Sequence, residues 1–191
     1  MALEDIEFRT DVTVELIRHS ASDADVLFAA RVSTQGEQTL ESAAAHDAAT
    51  DRDQGLINYL MRDRHGSPFE HNSLTFYVQA PIFVFREFMR HRIASYNEES
   101  GRYRELRPVF YMPGPQRKLV QVGKPGAYDF EDGTAEQTAL VQDEIRTVCS
   151  AAYESYQRMR EAGVAREVAR AVLPVTLYSS MYVTMNARSL M

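Results

Sequence analysis

Cysteine occurs once, at Cys149, in a chain of 191 residues. A single thiol excludes an internal disulfide framework and any cysteine cluster for zinc. Long apolar runs are also missing. None reaches the roughly 18–20 residues needed to span a bilayer, and no charged-then-apolar leader is read at the start. A soluble cytoplasmic protein with no membrane partner is therefore expected. Positive charge is in deficit: 21 Lys and Arg face 27 Asp and Glu, a formal net charge of −6. General binding to a nucleic acid polymer is not expected on that balance, and any anion site must be a local basic pocket. Internal repeats and low-complexity blocks are absent, the Ala-rich patch from Ser42 to Thr50 being the nearest thing. There is no nucleophile elbow. Cys149 falls mid-helix among buried-type residues, where a thiol is a small core residue rather than a nucleophile.

What is present reads as one domain over residues 1–191. Hydrophobic residues make up 45% of the chain, a globular proportion at a length sufficient to bury a real core. Val12 to Ile17 alternates and predicts an early strand. Ser22 caps a helix that starts at Asp23, carries Val26, Leu27, Ala30 and Val32, and ends near Ser33. Gly36 to Thr50 is small, polar and weakly periodic, a mobile loop or a loose helix. A second helix is expected from Asp53 to Arg64, with Leu56, Ile57, Leu60 and Met61 on one face, stopped near Gly66-Ser67-Pro68. His65 and His71 sit in a turn feeding a strand from Ser73 to Ala80, in which Leu74, Phe76 and Val78 alternate with Thr75, Tyr77 and Gln79. Two histidines six apart are not a helical metal pair, and no metal site is expected.

Pro81 to Arg104 is the most informative stretch. Pro81 suits a first helical position, and Ile82, Phe83, Phe85, Phe88 and Met89 give an apolar face. Arg86 and Arg90 lie one turn apart, Glu87 stands one turn before His91, and Arg90, His91 and Arg92 close the helix. Ile93 to Arg104 has loop chemistry around Gly101. A helix end with convergent arginines, followed by Ser100-Gly101-Arg102, could hold a phosphorylated ligand, because guanidinium forks match phosphate oxygens and backbone N–H groups approach closely at glycine. Cations at a helix C-terminus also simply complement its macrodipole.

Pro108 to Met112 reads as a short strand and Gln116 to Gly133 as a surface excursion that a hairpin would fit. Thr134 and Gln137 form a capping-box pattern for a long helix. Its buried stripe is read as Leu140, Val141, Ile145, Val148, Ala152, Tyr153, Tyr156 and Met159, and Gly163 ends it. A further helix from Arg166 to Leu173 stops at Pro174, a strand follows from Val175 to Met185, and Asn186 caps a helix that the chain leaves within about one turn. A helix that starts well and stops at once suggests a chain cut short. The fold class is α+β: a mixed or antiparallel sheet from the strands near Val12, Ser73, Val109 and Val175, packed by helices.

Arg90-His91-Arg92, seven intervening residues and Ser100, within RHRIASYNEESGRYREL, resemble the signature of the flavin-dependent thymidylate synthases, the ThyX family. The segments Ala29-Ala30-Arg31-Val32-Ser33, His65-Gly-Ser-Pro-Phe-Glu-His71 and VAREVARAVLP are similar to the family's as well, so the likeness covers about Val12 to Met191. The resemblance implies a flavin-dependent thymidylate synthase-like fold and an enzyme that methylates dUMP to dTMP, with FAD as cofactor and methylenetetrahydrofolate and NADPH as co-substrates. It implies a homotetramer whose sites combine residues of several subunits. Position by position, it places Ser33, His65, Ser67, Arg90, His91, Arg92, Glu98, Asn186 and Arg188 toward the flavin. Toward the nucleotide it places Arg86, Glu87, Arg90, Glu98, Glu99, Ser100, Gly101, Arg102 and Arg170. The family's last helix continues further and carries an arginine that helps ionise the pyrimidine. No residue up to Met191 matches it, so no catalytic residue is assigned, and a fragment of a longer protein and a protein that lost the element are both open. Two other readings accompany the first: a non-catalytic flavin- or nucleotide-binding homologue, and a methylase of another uridine nucleotide such as UMP.

Overall fold

A computed structural model describes residues 6–36 and 51–191. Most of the stretch read as a mobile loop or loose helix, residues 37–50, lies outside them. The chain divides into two compact units, the first comprising Met1–Thr13, Gln79–Arg90 and Glu98–Ser180, the second Val14–Val78, His91–Asn97 and Met181–Met191. The fold is α+β.

In the first unit, β1 (Glu7–Arg9) pairs in parallel with β5 (Val109–Tyr111), setting Phe8 opposite Phe110. The strand near Val109 was expected in the main sheet; it forms this separate two-stranded sheet instead, with a single antiparallel bridge from Phe110 to Leu177. Three residues give a strand too few ladder bonds to hold alone, so side-chain burial sets its partner. The surface excursion is a hairpin of β6 (Val120–Lys124) and β7 (Ala127–Glu131), turned at Pro125-Gly126 with Gly126 at φ 84°. Pro-Gly supplies a fixed φ and then a positive one, as a tight turn requires.

The long helix α4 (Ala135–Glu161) starts on the expected box: Thr134 Oγ1 accepts from the Gln137 N–H and Gln137 Oε1 from the Thr134 N–H. It stops before Gly163, whose φ of 81° is left-handed. Cys149, Tyr153 and Tyr156 form its buried stripe, packed with Leu106, Phe110, Ala169 and Leu177. Leu140 and Val148, expected in that stripe, are exposed. At 3.6 residues per turn Val148 points about 100° and Leu140 about 180° away from Cys149, so the apolar band was drawn too wide. The Cys149 thiol sits 3.4 Å from Thr176 Oγ1, and burial raises its pKa, as expected of a core thiol. After α4 come α5 (Arg166–Ala169) and a single 3₁₀ turn (Arg170–Val172), shorter than the expected helix.

The second unit is built on a four-stranded sheet in the order β2-β3-β8-β4. These strands are β2 (Thr13–Ser20), β3 (Ser73–Pro81), β8 (Tyr178–Met185) and β4 (Ser95–Glu98). β3 is internal, so both its edges are paired, and Thr75 and Gln79 of the polar set are buried as Val78 and Ala80 are. Thr75 meets its need by bonding Thr184 at 2.9 Å. β4 lies where loop chemistry was read; sheet pairing overrides weak local propensity. Helix α1 (Asp23–Gln35) is capped by Ser22 in a box with Asp25, and α2 (Asp51–Arg62) begins and ends two residues earlier than read. Val26, Leu60 and Phe69 make the small core, with Leu56, Ile57 and Ala187 packed on it. Met61, read on that face, is exposed.

A polar knot that the sequence did not reveal ties β1 into the first unit. Arg9 donates to Gln79 Oε1 at 2.5 Å and to Asp11 Oδ2 at 2.7 Å, and its guanidinium lies 5.0 Å from the Tyr178 ring centroid. Tyr178 in turn donates to the Asp11 carbonyl at 2.7 Å. The Arg9 guanidinium holds the Asp11 carboxyl below its usual range, and burial pushes the Tyr178 phenol from 10.0 up to about 12. The folded state thus keeps a proton that the unfolded chain loses above pH 10, so this stabilisation is full below that pH and falls away as pH rises toward 12. Urea titrations between pH 10 and 12 should show a shallower stability loss in Tyr178→Phe than in the parent, by up to about 1.4 kcal/mol per pH unit. Equal slopes would place the phenol's titration elsewhere.

Candidate functional site

The expected site residues fall into three groups, each positioned by a different local device. The first lies in the second unit. A cleft of about 390 Å³ is lined by Ala29 to Ser33 at the end of α1, by Leu56, Tyr59 and Leu60 of α2, and by His65, Ser67, Pro68 and His71. It brings Ser33 together with His65 and Ser67, which lie 32 and 34 positions further along the sequence. The means is a 3₁₀ turn (Ser67–Glu70) whose Pro68 and Phe69 are buried, which anchors the polar residues around them at the rim. His65 stacks edge-on against Tyr59 at 5.5 Å between ring centroids.

Arg31 also lines this cleft and is ion-paired with Asp53 of α2. Asp53 is only 5% exposed, so its charge is tolerated because the guanidinium stands against it. Neither residue was assigned a role from the sequence. Arg31 stood inside a segment already singled out, but Asp53 lies 22 positions away and off any helical spacing, so no local signal joins them.

Asn186 and Arg188 flank the same turn. Asn186 caps the short helix α6 (Ala187–Leu190) by accepting from the Ser189 N–H at 2.9 Å. The Ala187 N–H donates to Asn72 Oδ1 at 2.8 Å, and Arg188 donates to Glu70 Oε1 at 2.5 Å. Five expected cofactor residues therefore belong to one neighbourhood. His91 and Arg92 are in this unit too and are exposed; Tyr96 donates to the His91 carbonyl at 2.6 Å and steadies that bend.

The second group lies in the first unit. Ser100 opens a turn in which its carbonyl accepts from the N–H groups of Tyr103 and Arg104 at 3.1 and 3.2 Å, and its Oγ accepts from the Arg102 N–H at 3.2 Å. Glu99 anchors the entry, donating its N–H to the Ser180 carbonyl at 2.8 Å, and its carboxylate pairs with Arg104 at 3.5 Å. Gly101 is buried. A Cβ built on it would stand 2.8 Å from Leu106 Cδ1 and 3.1 Å from Arg170 Cδ, so only glycine lets the Arg170 stem lie across the turn. Arg102 is half exposed, 3.5 Å from Glu167. Ser100, Gly101, Arg102 and Arg170 are thus one cluster, in which the N–H groups of Arg102, Tyr103 and Arg104 hold the turn together and two arginine side chains stand beside it.

The third group is Arg86, Glu87 and Arg90. It was expected on a helix running through Arg92, but α3 (Ile82–Phe88) has only seven residues. Pro81 is its N-cap in extended conformation, not its first helical residue. Arg90, His91 and Arg92 follow the helix in a turn and open chain, so a macrodipole account of them fails. The chain must become extended by Ser95 to enter β4, which ends the helix early. Arg86, Glu87 and Arg90 are exposed, with Arg90 3.1 Å from Glu87, and no hydrogen bond or ion pair joins them to the Ser100 cluster among the described residues. Glu98, the last residue of β4, is exposed as well.

Comparison with known proteins bears on these groups together. The family model described as thymidylate synthase complementing protein matches residues 15–191. A flavin-dependent thymidylate synthase of Streptomyces avermitilis is 67% identical over 185 residues, 96% of this chain and 74% of the relative. One of Tropheryma whipplei is 62% identical over 184 residues, 96% of this chain and 75% of the relative. Among solved structures, a UMP/dUMP methylase of Streptomyces cacaoi bound with 5-Br dUMP superposes with a TM-score of 0.85 at 51% identity, covering 97% of this chain and 77% of that one. The same methylase bound with 5-Br UMP gives 0.84 and 49%, covering 97% and 76%.

Proposed function

This chain belongs to the thymidylate synthase complementing protein family, the flavin-dependent thymidylate synthases, and on that premise we propose that it catalyses the reductive methylation of dUMP to dTMP. It is an enzyme of the methyltransferase kind, and its cofactor is a flavin, which we assign as FAD. Methylenetetrahydrofolate as carbon donor and NADPH as reductant complete the reading. The observation that carries it is the Ser100-Gly101-Arg102 turn with Arg170 laid across its glycine, a donor cluster suited to a dianionic phosphate.

The residues present fit a flavin nucleotide. The cleft beside His65 is within the usual range of ligand pockets, roughly 300–1,000 Å³. Its lining pairs small residues, Ala29 and Ala30, with hydroxyl and imidazole groups at Ser33, Ser67, His65 and His71. That mixture suits a ligand with an aromatic body and polar linkers. Ser33, His65, Ser67, Asn186 and Arg188 would hold it, joined by Arg90, His91, Arg92 and Glu98. When bound, the flavin supplies the hydride that reduces the transferred carbon, having itself been reduced by the nicotinamide nucleotide.

The chain's own part is position and charge. The Ser100 hydroxyl presents a donor to the phosphate, while Arg102 and Arg170 neutralise it. Arg86, Glu87, Arg90, Glu98 and Glu99 are assigned to the nucleotide side. The exposed side chains of Arg86, Glu87, Arg90 and Glu98 support a homotetramer in which one subunit's arginines complete another's site. The whole of residues 1–191 is read as one catalytic domain, since the family match runs through both compact units. One buried, unpaired cysteine accords with a cytoplasmic enzyme, and among the described residues no helix is long and apolar enough to cross a membrane.

A second reading, a methylase that also takes UMP, is favoured by the Streptomyces cacaoi structures, whose protein is described as a UMP/dUMP methylase. The purified protein should be yellow and should release tritium from 5-labelled dUMP only when folate and NADPH are both present. Colourless protein that binds no FAD, or flavin-loaded protein without release, would sink the enzymatic reading. Release from UMP at a comparable rate would select the broader one.

A further inference from the structure

We propose that Glu70 is a positioning residue for the flavin site: it holds the Arg188 guanidinium flat across Gly66, so that the late contacts at Asn186 and Arg188 are set relative to His65 and Ser67. The proposal rests on the reading that Arg188 faces the flavin.

Three observations converge on this point. Arg188 Nη1 donates to Glu70 Oε1 at 2.5 Å, across 118 positions of sequence. A Cβ built on Gly66 would stand 2.8 Å from Arg188 Cζ, 2.8 Å from Nε and 2.9 Å from Nη1. Three guanidinium atoms at nearly one distance mean that the plane lies over the Gly66 α-carbon, in a place a methyl group would fill. Beside it, Asn72 Oδ1 accepts from the Ala187 N–H at 2.8 Å and so docks the first residue of α6 on the same loop. Both contacts come from the loop of residues 66–72, whose other residues include the cleft-lining Ser67 and His71.

An arginine side chain left free samples many rotamers, and ordering it is a cost that the bound ligand would otherwise have to meet. Glu70 meets it beforehand, and Gly66 leaves room for the result. The pair is about half exposed on both sides. Exposed ion pairs contribute little to global stability, so the reason for this geometry lies in the orientation it imposes.

That division gives a test. FAD affinity would be read from flavin fluorescence quenching, the environment of the ring from the visible absorbance bands, and folding from the thermal midpoint of the flavin-free protein. Glu70→Gln should weaken FAD binding about fivefold to tenfold and shift the flavin bands, with little change in midpoint. Gly66→Ala should do the same. Its backbone lies at φ −75° and ψ −25°, where alanine is unstrained, so any loss must come from displacing the guanidinium. Arg188→Ala should weaken binding at least as much, and adding Glu70→Gln or Gly66→Ala to it should have no further effect. If Arg188→Ala weakens FAD binding and Glu70→Gln does not, or if the two losses add in the double variant, Glu70 does not act through Arg188 and the proposal is overturned. If Arg188→Ala itself leaves FAD affinity intact, the underlying assignment of Arg188 is wrong, a failure distinguishable from the first.

Discussion

Arg102→Ala should weaken dUMP binding by about 1.5–3 kcal/mol, roughly 10- to 150-fold in affinity, because a charge-assisted bond to a dianionic phosphate is lost. The local geometry explains why the effect should appear in binding and not in folding. Arg102 is half exposed, and its ion pair among the described residues is a loose one, 3.5 Å from a similarly exposed Glu167. Such a pair contributes little to stability and leaves the guanidinium able to swing to a ligand. The turn itself is held by main-chain bonds to Ser100, which the substitution leaves in place. Arg102→Lys should recover only part of the loss, since an ammonium cannot form the two parallel bonds of a guanidinium fork. Gly101→Ala probes the same site from the other side. Its φ is not left-handed, so alanine meets no backbone strain. The new methyl would stand 2.8 Å from Leu106 Cδ1 and 3.1 Å from Arg170 Cδ, so these two side chains must shift, and a displaced Arg170 would weaken dUMP binding. Calorimetric titration with dUMP would measure both variants. An unchanged dissociation constant for Arg102→Ala would remove that residue from the phosphate site.

The contrast between Gly101 and Glu70 explains what the sequence could disclose. Capping boxes at Ser22 and Thr134, the Asn186 cap and the Gly163 stop are all contained within four residues, so local chemistry reveals them. The motif around Gly101 is likewise continuous in sequence. Where reading failed, the deciding partner was far away. The helix before Arg90 was drawn too long because nothing within it breaks it; the chain's need to reach β4 does. Thr75 and Gln79 alternate with the apolar set and yet are buried, because alternation tells which residues share a face and not whether that face is covered. The strand at Val109 was put in the main sheet because its partner, β1, lies about a hundred residues earlier. Separations of 22 and 118 positions likewise hide the Arg31–Asp53 pair and the link from Glu70 to Arg188. Residue types at a site are legible locally, whereas the residues that hold them in place generally are not.

Phe110→Ala should cost about 3–5 kcal/mol of folding stability, the range for emptying a fully buried aromatic position. Phe110 has no exposed surface. Its ring lies 6.3 Å from that of Phe8, in the paired strand, and 6.3 Å and nearly perpendicular to that of Tyr153 on α4. It therefore joins β1, β5 and the long helix at one point, and none of the three can close the gap alone. The two-stranded sheet has three residue pairs, too few to hold without that side-chain contact. Urea unfolding followed by far-UV circular dichroism, at fixed protein concentration so that any assembly equilibrium cancels, would measure the change. A loss under about 1 kcal/mol would show that this core is not where the stability resides. The nucleotide site should respond differently. Leu106, which backs Gly101, keeps its backbone bonds to Tyr153 and Tyr156 when Phe110 is cut back, and Arg102 and Arg170 touch other residues. Well below the unfolding transition, Phe110→Ala should therefore bind dUMP within about twofold of the parent, while Arg102→Ala, hardly destabilised, should not. If instead the two variants lose affinity together, the phosphate turn takes its shape from the core and not from its own hydrogen bonds.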